Sequence, residues 1–371
     1  MQAGLVSVMM PAYNAAGYIE EAVRSVLAQT YSHWELLVVN DGSTDATAGV
    51  VRQFHDPRIR LLTKKNGGES TARNMALEHS RGEFIAYLDA DDAYLPHHLA
   101  ATVGFLNSHP DRDAVYTDGI HIDEKGDRLT SLQSRRRGPF EGRLFEHAVR
   151  ASDIFGPPLC VVLRHDVVAR HVLRYDPRIV IGPDWDFFIR VTDLAAFGYL
   201  DDRTCLYRVH RANITTRVDS KKRLESLAIC REKAIKHPKF GACSTETQAA
   251  VFYDLLIDWL RDEPARRSEA IRWAEFARLP RSERARLLRL MASDTLVRGK
   301  DHADIADWLR RATELNPSDG RAHVLAGLYR LSPRLCRAVL RTKSPGRASA
   351  RDAAPFADLF GKTVAAASRP T

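Results

Sequence analysis

At 371 residues the chain is long enough for two domains and short of three. Its 44% hydrophobic and 27% charged residues exclude a wholly disordered chain or a fibre, and no apolar run nears the roughly 18 residues of a membrane span. The net charge of +8 is uneven, −3 over residues 1–218 and +11 over residues 219–371, so two regions with different tasks are expected.

The first hundred residues alternate two patterns. Residues 5–10 form a short apolar run with strand character. Residues 18–29 follow with apolar positions at helical spacing: Ile19, Ala22, Val23, Val26 and Leu27. Residues 35–39 read as a second strand, 44–54 as a helix with cap chemistry at Asp41, Ser43 and Thr44, and 58–63 as a third strand. Residues 70–79 read as a helix and 83–88 as a fourth strand. Strands alternating with helices of about ten residues indicate βαβ units and a mainly parallel sheet. Ligands bind such sheets beyond the carboxyl ends of the strands. The polar clusters at 11–14, 40–45 and 89–92 fall there.

From 100 to 215 the pattern is less regular. It holds a helix over 95–107, an apolar segment at 114–116, a basic loop at 135–142, an apolar run at 159–163, a helix over 184–194 and a strand over 204–209. After 218 strand signals nearly vanish. Residues 224–236, 246–260, 268–278 and 305–315 read as amphipathic helices. The break at Leu315-Asn316-Pro317 within 303–331 hints at one helix-turn-helix of tetratricopeptide type, and one copy is no array. The last 30 or so residues, rich in Ala, Ser, Arg and Pro, are expected to be poorly ordered.

The chemistry concentrates after the strands. Asp89-Ala90-Asp91-Asp92 puts three carboxylates behind an apolar strand. Such a cluster suits a hard divalent cation and a substrate's phosphate oxygens, or equally a solvated turn that caps a helix. Asn40-Asp41-Gly42-Ser43-Thr44-Asp45 offers a tight glycine turn, with Asp41 able to accept from a nucleobase N–H or sugar hydroxyls; a plain turn with an N-cap is the bland alternative. Pro11-Ala12-Tyr13-Asn14 ends the first strand in the same way. Asn66-Gly67-Gly68 opens a helix that carries Arg73, an arrangement suited to a diphosphate. Neither a Gly-Lys-Ser/Thr loop nor GxGxxG occurs there, so a nicotinamide site loses support. Gly182-Pro183-Asp184-Trp185 sets an acid and an aromatic at a helix start, as general base and stacking ring or merely as an N-cap. His210 is a candidate ligand, although a lone histidine after a strand is more often just a satisfied polar residue.

Taken in order, these segments resemble glycosyltransferase family 2. The matching pieces are Pro11-Ala12-Tyr13-Asn14, Gln29-Thr30-Tyr31 with Trp34-Glu35-Leu36, Asn40 to Asp45, Asn66-Gly67-Gly68 with Ala72-Arg73-Asn74, Asp89 to Asp92, Asp184-Trp185-Asp186, and Tyr207-Arg208-Val209-His210. The resemblance spans about residues 5–215. It implies a GT-A fold: Rossmann-like α/β, with a mainly parallel sheet flanked by helices and then a helical C-terminal region. Residues 1–218 would be the transferase domain, with 1–100 as the nucleotide-sugar half and 101–218 as the acceptor half; 219–371 would be the helical region.

The resemblance also implies roles. Asp41 would hold the base, lined by Pro11, Ala12, Tyr13 and Asn14. Asn66, Gly68 and Arg73 would approach the diphosphate, and Asp89 and Ala90 would lie near the ribose. Asp91, with Asp89 and His210, would hold Mn2+ or Mg2+. Asp184 would be the catalytic base and Trp185 would meet the acceptor. Two departures from the family pattern are Asn40, where a first Asp is common, and Pro183, where Glu often precedes the catalytic Asp. The implied reaction is metal-dependent, inverting transfer of one sugar per encounter from a nucleotide-sugar, a UDP-sugar first, to a hydroxyl of a glycan, glycolipid or other acceptor. Glu269-Ala270-Ile271-Arg272-Trp273 only partly echoes the Gln-x-x-Arg-Trp motif of processive synthases.

Three rivals stand beside this reading. A nucleotidyltransferase would want a glycine- and lysine-rich loop near the N-terminus. A degenerate domain could serve as a scaffold through its helical region. A nucleic-acid binder would explain the basic part, yet no nucleic-acid motif is present and no such partner is expected. Residues 330–371 hold nine basic and two acidic residues, which suits peripheral contact with an anionic membrane and a lipid-linked acceptor, or equally a soluble helical cap. The N-terminus lacks the look of a secretory signal, and five scattered cysteines without CxxC read as reduced thiols, so a cytoplasmic setting is expected.

Overall fold

The computed structural model describes residues 1–210, 213, 219–262, 264–298 and 304–343. They divide into two compact units: Met1–His210 with Glu225–Phe240, and Arg211–Leu224 with Gly241–Thr371. The boundary falls earlier than the 218 of the sequence reading, and part of the helix at 220–236 belongs to the first unit. The expectation of weak order after 342 falls almost wholly outside the described residues.

The apolar runs of the first unit build one sheet. In chain order its elements are β1 (Gln2–Ala12), α1 (Ile19–Leu27), β2 (Trp34–Asn40), α2 (Thr47–Arg52), β3 (Ile59–Thr63), α3 (Glu69–His79), β4 (Gly82–Tyr87), β5 (Ala93–Tyr94), α4 (His98–Ser108), β6 (Ala114–Ile122), β7 (Arg128–Ser131), β8 (Gly142–Arg143), α5 (Phe145–Arg150), β9 (Val161–Arg164), α6 (His165–Arg170), α7 (Pro183–Leu194) and β10 (Ala196–Arg208). The helix α8 (Ser220–Lys236) follows. The strand order is β3-β2-β1-β4-β9-β6-β10-β5, with β7 on β6 and β8 on β10. Strands β3, β2, β1 and β4 pair in parallel, as do β6 and β10; β9 runs antiparallel between the two sets. This is the mixed, mainly parallel α/β architecture expected for GT-A.

Burial explains the strand reading. β2 is buried at all seven positions, and β1 is buried from Leu5 to Met10. Both faces of these strands are covered, so they read as continuous apolar runs rather than alternating ones. Each buried aliphatic side chain contributes on the order of 1.5–3 kcal/mol. α1 presents Ile19, Ala22, Val23 and Val26 to the core beside Val6, Val8, Met10 and Leu36.

Register decides where the polar clusters meet. Ala12 pairs with Asn40, Asn40 with Thr63, and Met9 with Tyr87. The residues just after these strand ends therefore share one edge of the sheet. Ile122 of β6 pairs with Arg208 of β10, whose exit carries Val209 and His210. Gly82 is required by close approach: a Cβ there would lie 2.5 Å from the Leu5 carbonyl oxygen.

The second unit is helical among its described residues: α9 (Thr245–Asp262), α10 (Pro264–Ala270), α11 (Ala274–Arg278), α12 (Arg281–Val297), α13 (Ile305–Leu315), α14 (Gly320–Leu331) and α15 (Pro333–Lys343). The expected single helix over 268–278 is instead broken. Trp273 adopts an extended ψ of 147° and sets its ring edge-on to Trp259, 5.7 Å away, and aromatic packing outweighs helix continuity there. The expected break at Leu315-Asn316-Pro317 falls where α13 gives way to α14. Asp319 caps α14 by accepting from the Arg321 and Ala322 N–H groups. No described helix is long and apolar enough to cross a membrane. All five cysteines are buried free thiols.

Candidate active site at the carboxyl edge of the sheet

Three loops interlock at this edge. Asn14 sits at φ +48°, a left-handed conformation that Asn tolerates better than most residues. There its N–H donates to Ser43 Oγ at 3.0 Å and its Oδ1 accepts from the Thr44 N–H at 2.8 Å. The Ala16 N–H donates to Asp45 at 3.1 Å. Burial pushes the Asp45 carboxyl up, but bonds from the Thr47 hydroxyl, the Thr47 N–H and Ala16 outweigh it and hold the pKa low. Tyr13 projects at the end of β1 with half its surface exposed, whereas Ala12 is buried and Pro11 partly so.

Asp41 is buried and strongly held. It accepts from Lys64 Nζ at 2.5 Å, the Gly67 N–H at 3.0 Å and the Gly68 N–H at 2.8 Å. The glycine turn opening α3, expected to suit a diphosphate, thus has two of its N–H groups donating to Asp41. A carboxylate has about four lone-pair sites, so one further donor can be accepted. Gly42, at φ +71°, lets the turn close: a Cβ there would lie 2.7 Å from the Asn66 nitrogen. Asn66 and Gly68 are exposed beside it. Lys64 carried no signal in the sequence, because a lysine after an edge strand reads as a solvated charge.

Arg73 departs from its expected place. It is buried to 2% exposure and faces inward rather than standing open to a diphosphate. Its Nη2 donates to Asp89 Oδ1 at 2.9 Å and lies 2.8 Å from Glu69 Oε1. The guanidinium carbon sits 5.6 Å from the Tyr175 ring centroid and 6.0 Å from that of Tyr87. Nε and Nη1 have no hydrogen-bond partner among the described residues. Glu69 was not singled out from the sequence, although its i,i+4 spacing to Arg73 is a usable signal. Asn74 fixes the facing segment: it donates to the Tyr175 carbonyl at 2.9 Å and accepts the Tyr175 N–H at 2.7 Å.

The carboxylates feel one another. Burial pushes Glu69 up to about 7; Arg73 opposes, and Asp89, Asp184 and Asp91 push further. Burial likewise raises Asp89, against Arg73 and reinforced by Asp91 and Asp184. Asp92 is raised well above the usual range by burial, then by Asp91 and Asp89. It accepts the Arg208 N–H at 2.8 Å. Arg208, fully buried, also donates to the Asp91 carbonyl at 2.9 Å and to Glu21 at 2.6 Å, so it braces the acidic loop from β10. His210 Nε2 lies 2.9 Å from Asp91 Oδ2, and its ring packs 4.7 Å from that of Tyr18. Ala90 is buried between.

Gly182, in the left-handed conformation at φ +75°, opens α7 and leaves Asp184 in its first turn. Asp184 is half-buried and makes no hydrogen bond or ion pair among the described residues. Asp186, by contrast, is buried and bound to Arg190 at 2.7 Å and Lys233 at 2.8 Å. Trp185 is another correction. Its ring is 7% exposed and its Nε1 donates to the Ala148 carbonyl at 2.7 Å, so it is a packed anchor and no open stacking surface.

Among the described residues no group of three or more His, Cys, Asp or Glu side chains is arranged to hold a metal alone. Asp91 and His210 form a two-donor corner, and the crowded carboxylates beside them would be relieved by a cation. Carboxylate oxygen and imidazole nitrogen suit Mn2+ or Mg2+ when substrate phosphates and water complete the shell.

The mixed, mainly parallel α/β sheet with its polar loops gathered beyond the strand ends has the architecture of a GT-A fold. Residues 7–171 match the family model for glycosyl transferase family 2. The chain therefore carries a glycosyl transferase family 2 domain. An uncharacterized glycosyltransferase of Rickettsia typhi is 30% identical over 219 residues, covering 57% of this chain and 66% of that protein. An Escherichia coli protein named as UDP-Glc:alpha-D-GlcNAc-diphosphoundecaprenol beta-1,3-glucosyltransferase is 46% identical over 103 residues, 28% of this chain and 41% of its own. The chain thus spans less than the full length of these relatives. The crystal structure of S. aureus TarS 1–349 in complex with UDP-GlcNAc matches with a TM-score of 0.54 at 16% identity, covering 88% of this chain and 91% of that one.

Proposed function

We propose that the chain transfers a glycosyl group from a nucleoside diphosphate sugar, with a UDP-sugar favoured, to a hydroxyl of a glycan or lipid-linked acceptor. Transfer inverts the anomeric carbon and adds one sugar per encounter. The observation that carries this reading is the acidic loop after β4, where Asp89 accepts from Arg73 at 2.9 Å and Asp91 Oδ2 lies 2.9 Å from His210 Nε2, with Asp91 and Asp184 near enough to push the Glu69 and Asp89 carboxyls up. The likeness in name of the E. coli relative and the UDP-GlcNAc complex of the S. aureus structure favour uridine and, for the former, a lipid diphosphate acceptor.

The residues divide the work. Asp41, oriented by Lys64 and two glycine N–H groups, has room to accept one N–H of a base, while Tyr13 offers an exposed ring beside it. Arg73 acts as a positioning residue that holds Asp89. Asp91 and His210 would hold the divalent cation. When bound, such a cation offsets the charge that develops on the departing nucleoside diphosphate. Asp184, whose carboxylate has no bonded partner among the described residues, takes the acceptor's proton as the hydroxyl attacks.

A thermal-shift panel of UDP, GDP, dTDP and CDP, each with and without Mn2+, tests the reading. Ligand at 100 times its Kd stabilises by about 2.7 kcal/mol. The expected result is a Mn2+-dependent rise largest with UDP. No rise with any nucleotide overturns the proposal.

A further inference from the structure

The helices of the second unit enclose a cavity of their own. Its volume is about 330 Å3, at the low end of the roughly 300–1,000 Å3 typical of small-molecule sites. Arg281 and Arg284 from the first turns of α12 and Arg311 from α13 line it, with Glu314 as the acid. Phe276 and Leu315 supply its apolar lining.

Charge within this cavity is poorly balanced. Glu314 already accepts from Arg310 at 2.6 Å. Among the described residues Arg311 reaches only Asp307, at 3.8 Å. Arg281 and Arg284 form no ion pair among the described residues. Arg284 Nε is buried without a hydrogen-bond partner. A buried unpartnered guanidinium nitrogen calls for a physical explanation, and an anion that accepts its hydrogen supplies one. The N-terminal end of α12 adds its partial positive charge at the same mouth.

We propose that this cavity binds a phosphoryl anion, as phosphate monoester or diphosphate, through the forks of Arg281, Arg284 and Arg311. Guanidinium forks match phosphate oxygens in pairs. The apolar lining receives the carbon portion next to the phosphate. That anion is carried either by a soluble phosphoester or by a lipid head group.

The test uses the full chain at about 0.15 M salt, where exposed charges are screened beyond about 8 Å. Wild type, Arg281→Gln/Arg284→Gln and Arg286→Gln are compared, the last removing one charge of α12 that pairs with Glu283 and does not line the cavity. One arm titrates pyrophosphate by calorimetry; the other floats the protein with phosphatidic acid or phosphatidylcholine vesicles. Pyrophosphate binding at least tenfold weaker in the double variant, with Arg286→Gln within about twofold of wild type, assigns a soluble ligand. Flotation with phosphatidic acid alone, lost in the double variant and without pyrophosphate binding, assigns a lipid head group. Equal behaviour of all three chains in both arms overturns the proposal and would place any bound pyrophosphate elsewhere. Arg286→Gln losing as much as the double variant also overturns it, as general charge attraction. If the double variant fails to melt cooperatively, Arg281→Gln alone, at an exposed position, is expected to weaken binding at least threefold, and no weakening overturns it.

Discussion

Arg73 Nη2, on α3, donates to Asp89 Oδ1 at 2.9 Å in the loop after β4, and only the arginine of the pair is fully buried. The pair ties the start of α3 to the acidic loop after β4. Removing one partner of a fully buried pair costs roughly 3–5 kcal/mol. Arg73→Met instead strands Asp89 and Glu69, whose side chains are 31% and 28% exposed, so water meets part of their charge and the cost is smaller. A loss of about 2 kcal/mol in urea unfolding is expected, together with weaker nucleotide binding. Arg73→Lys, a single point charge without the fork, should fall between. Unchanged unfolding in Arg73→Met would remove the pair from any role in holding Asp89.

Asp184 and Asp186 make a controlled comparison. Both lie in the first turn of α7, but Asp186 is engaged by Arg190 and Lys233 while the Asp184 carboxylate has no hydrogen bond or ion pair among the described residues. Asp184→Asn should keep the melting midpoint and UDP affinity while lowering kcat on the order of 10²–10⁴-fold, the usual contribution of a general base. Asp186→Asn should do the reverse: a lower midpoint, with turnover per folded molecule nearly kept. Full turnover in Asp184→Asn would reject it as the base.

The sequence made the edge of the sheet legible because strand ends and polar clusters coincide there: Asn40, Asp41, Asp89 and Asp91 all follow fully apolar runs. The orientation of long side chains was not legible. Arg73 reads as an anion-binding fork from its place on a helix behind glycines, and only packing against Tyr87 and Tyr175 turns it inward. Trp185 likewise reads as a stacking ring until the Ala148 carbonyl claims its N–H. Lys64, Glu69 and Arg208 gain their roles from partners 23, 4 and 117 positions away, and only the middle spacing is visible in a helical pattern. Short β5, β7 and β8 carry too few residues for alternation to show.

The glycine turn around Asp41 gives a third test. Gly42 combines φ +71° with a backbone neighbour only 2.7 Å from a would-be Cβ. The left-handed conformation costs a non-glycine residue about 1–2 kcal/mol, and the clash with Asn66 backbone adds to it. Gly42→Ala is therefore expected to lower stability by about 2 kcal/mol or more. The segment carrying Gly67 and Gly68 must also move off Asp41, so UDP affinity should fall more than the melting midpoint alone implies. Equal UDP affinity in folded Gly42→Ala would show that base recognition does not depend on this turn.

A pH test comes from His98, away from the acidic loop. Its ring is buried and stacked 4.0 Å from the Tyr94 centroid, and its Nδ1 lies 2.7 Å from Thr204 Oγ1. Burial, then the neighbouring His97, lowers its pKa to about 3. The unfolded chain binds this proton near pH 6.5, the ordinary histidine value, so between these two values the unfolded state holds more protons than the folded one. Stability therefore rises with pH across that window. The contribution is complete above about pH 6.5 and is lost progressively as pH falls towards 3, amounting to a few kcal/mol. His98→Gln keeps a polar group for Thr204 and removes the titration. Its unfolding free energy at pH 7 should be lower by about 1 kcal/mol for imperfect packing, and its decline from pH 6.5 to 4.5 should be shallower than that of the wild type. Parallel declines in the two chains would mean that another group drives acid unfolding.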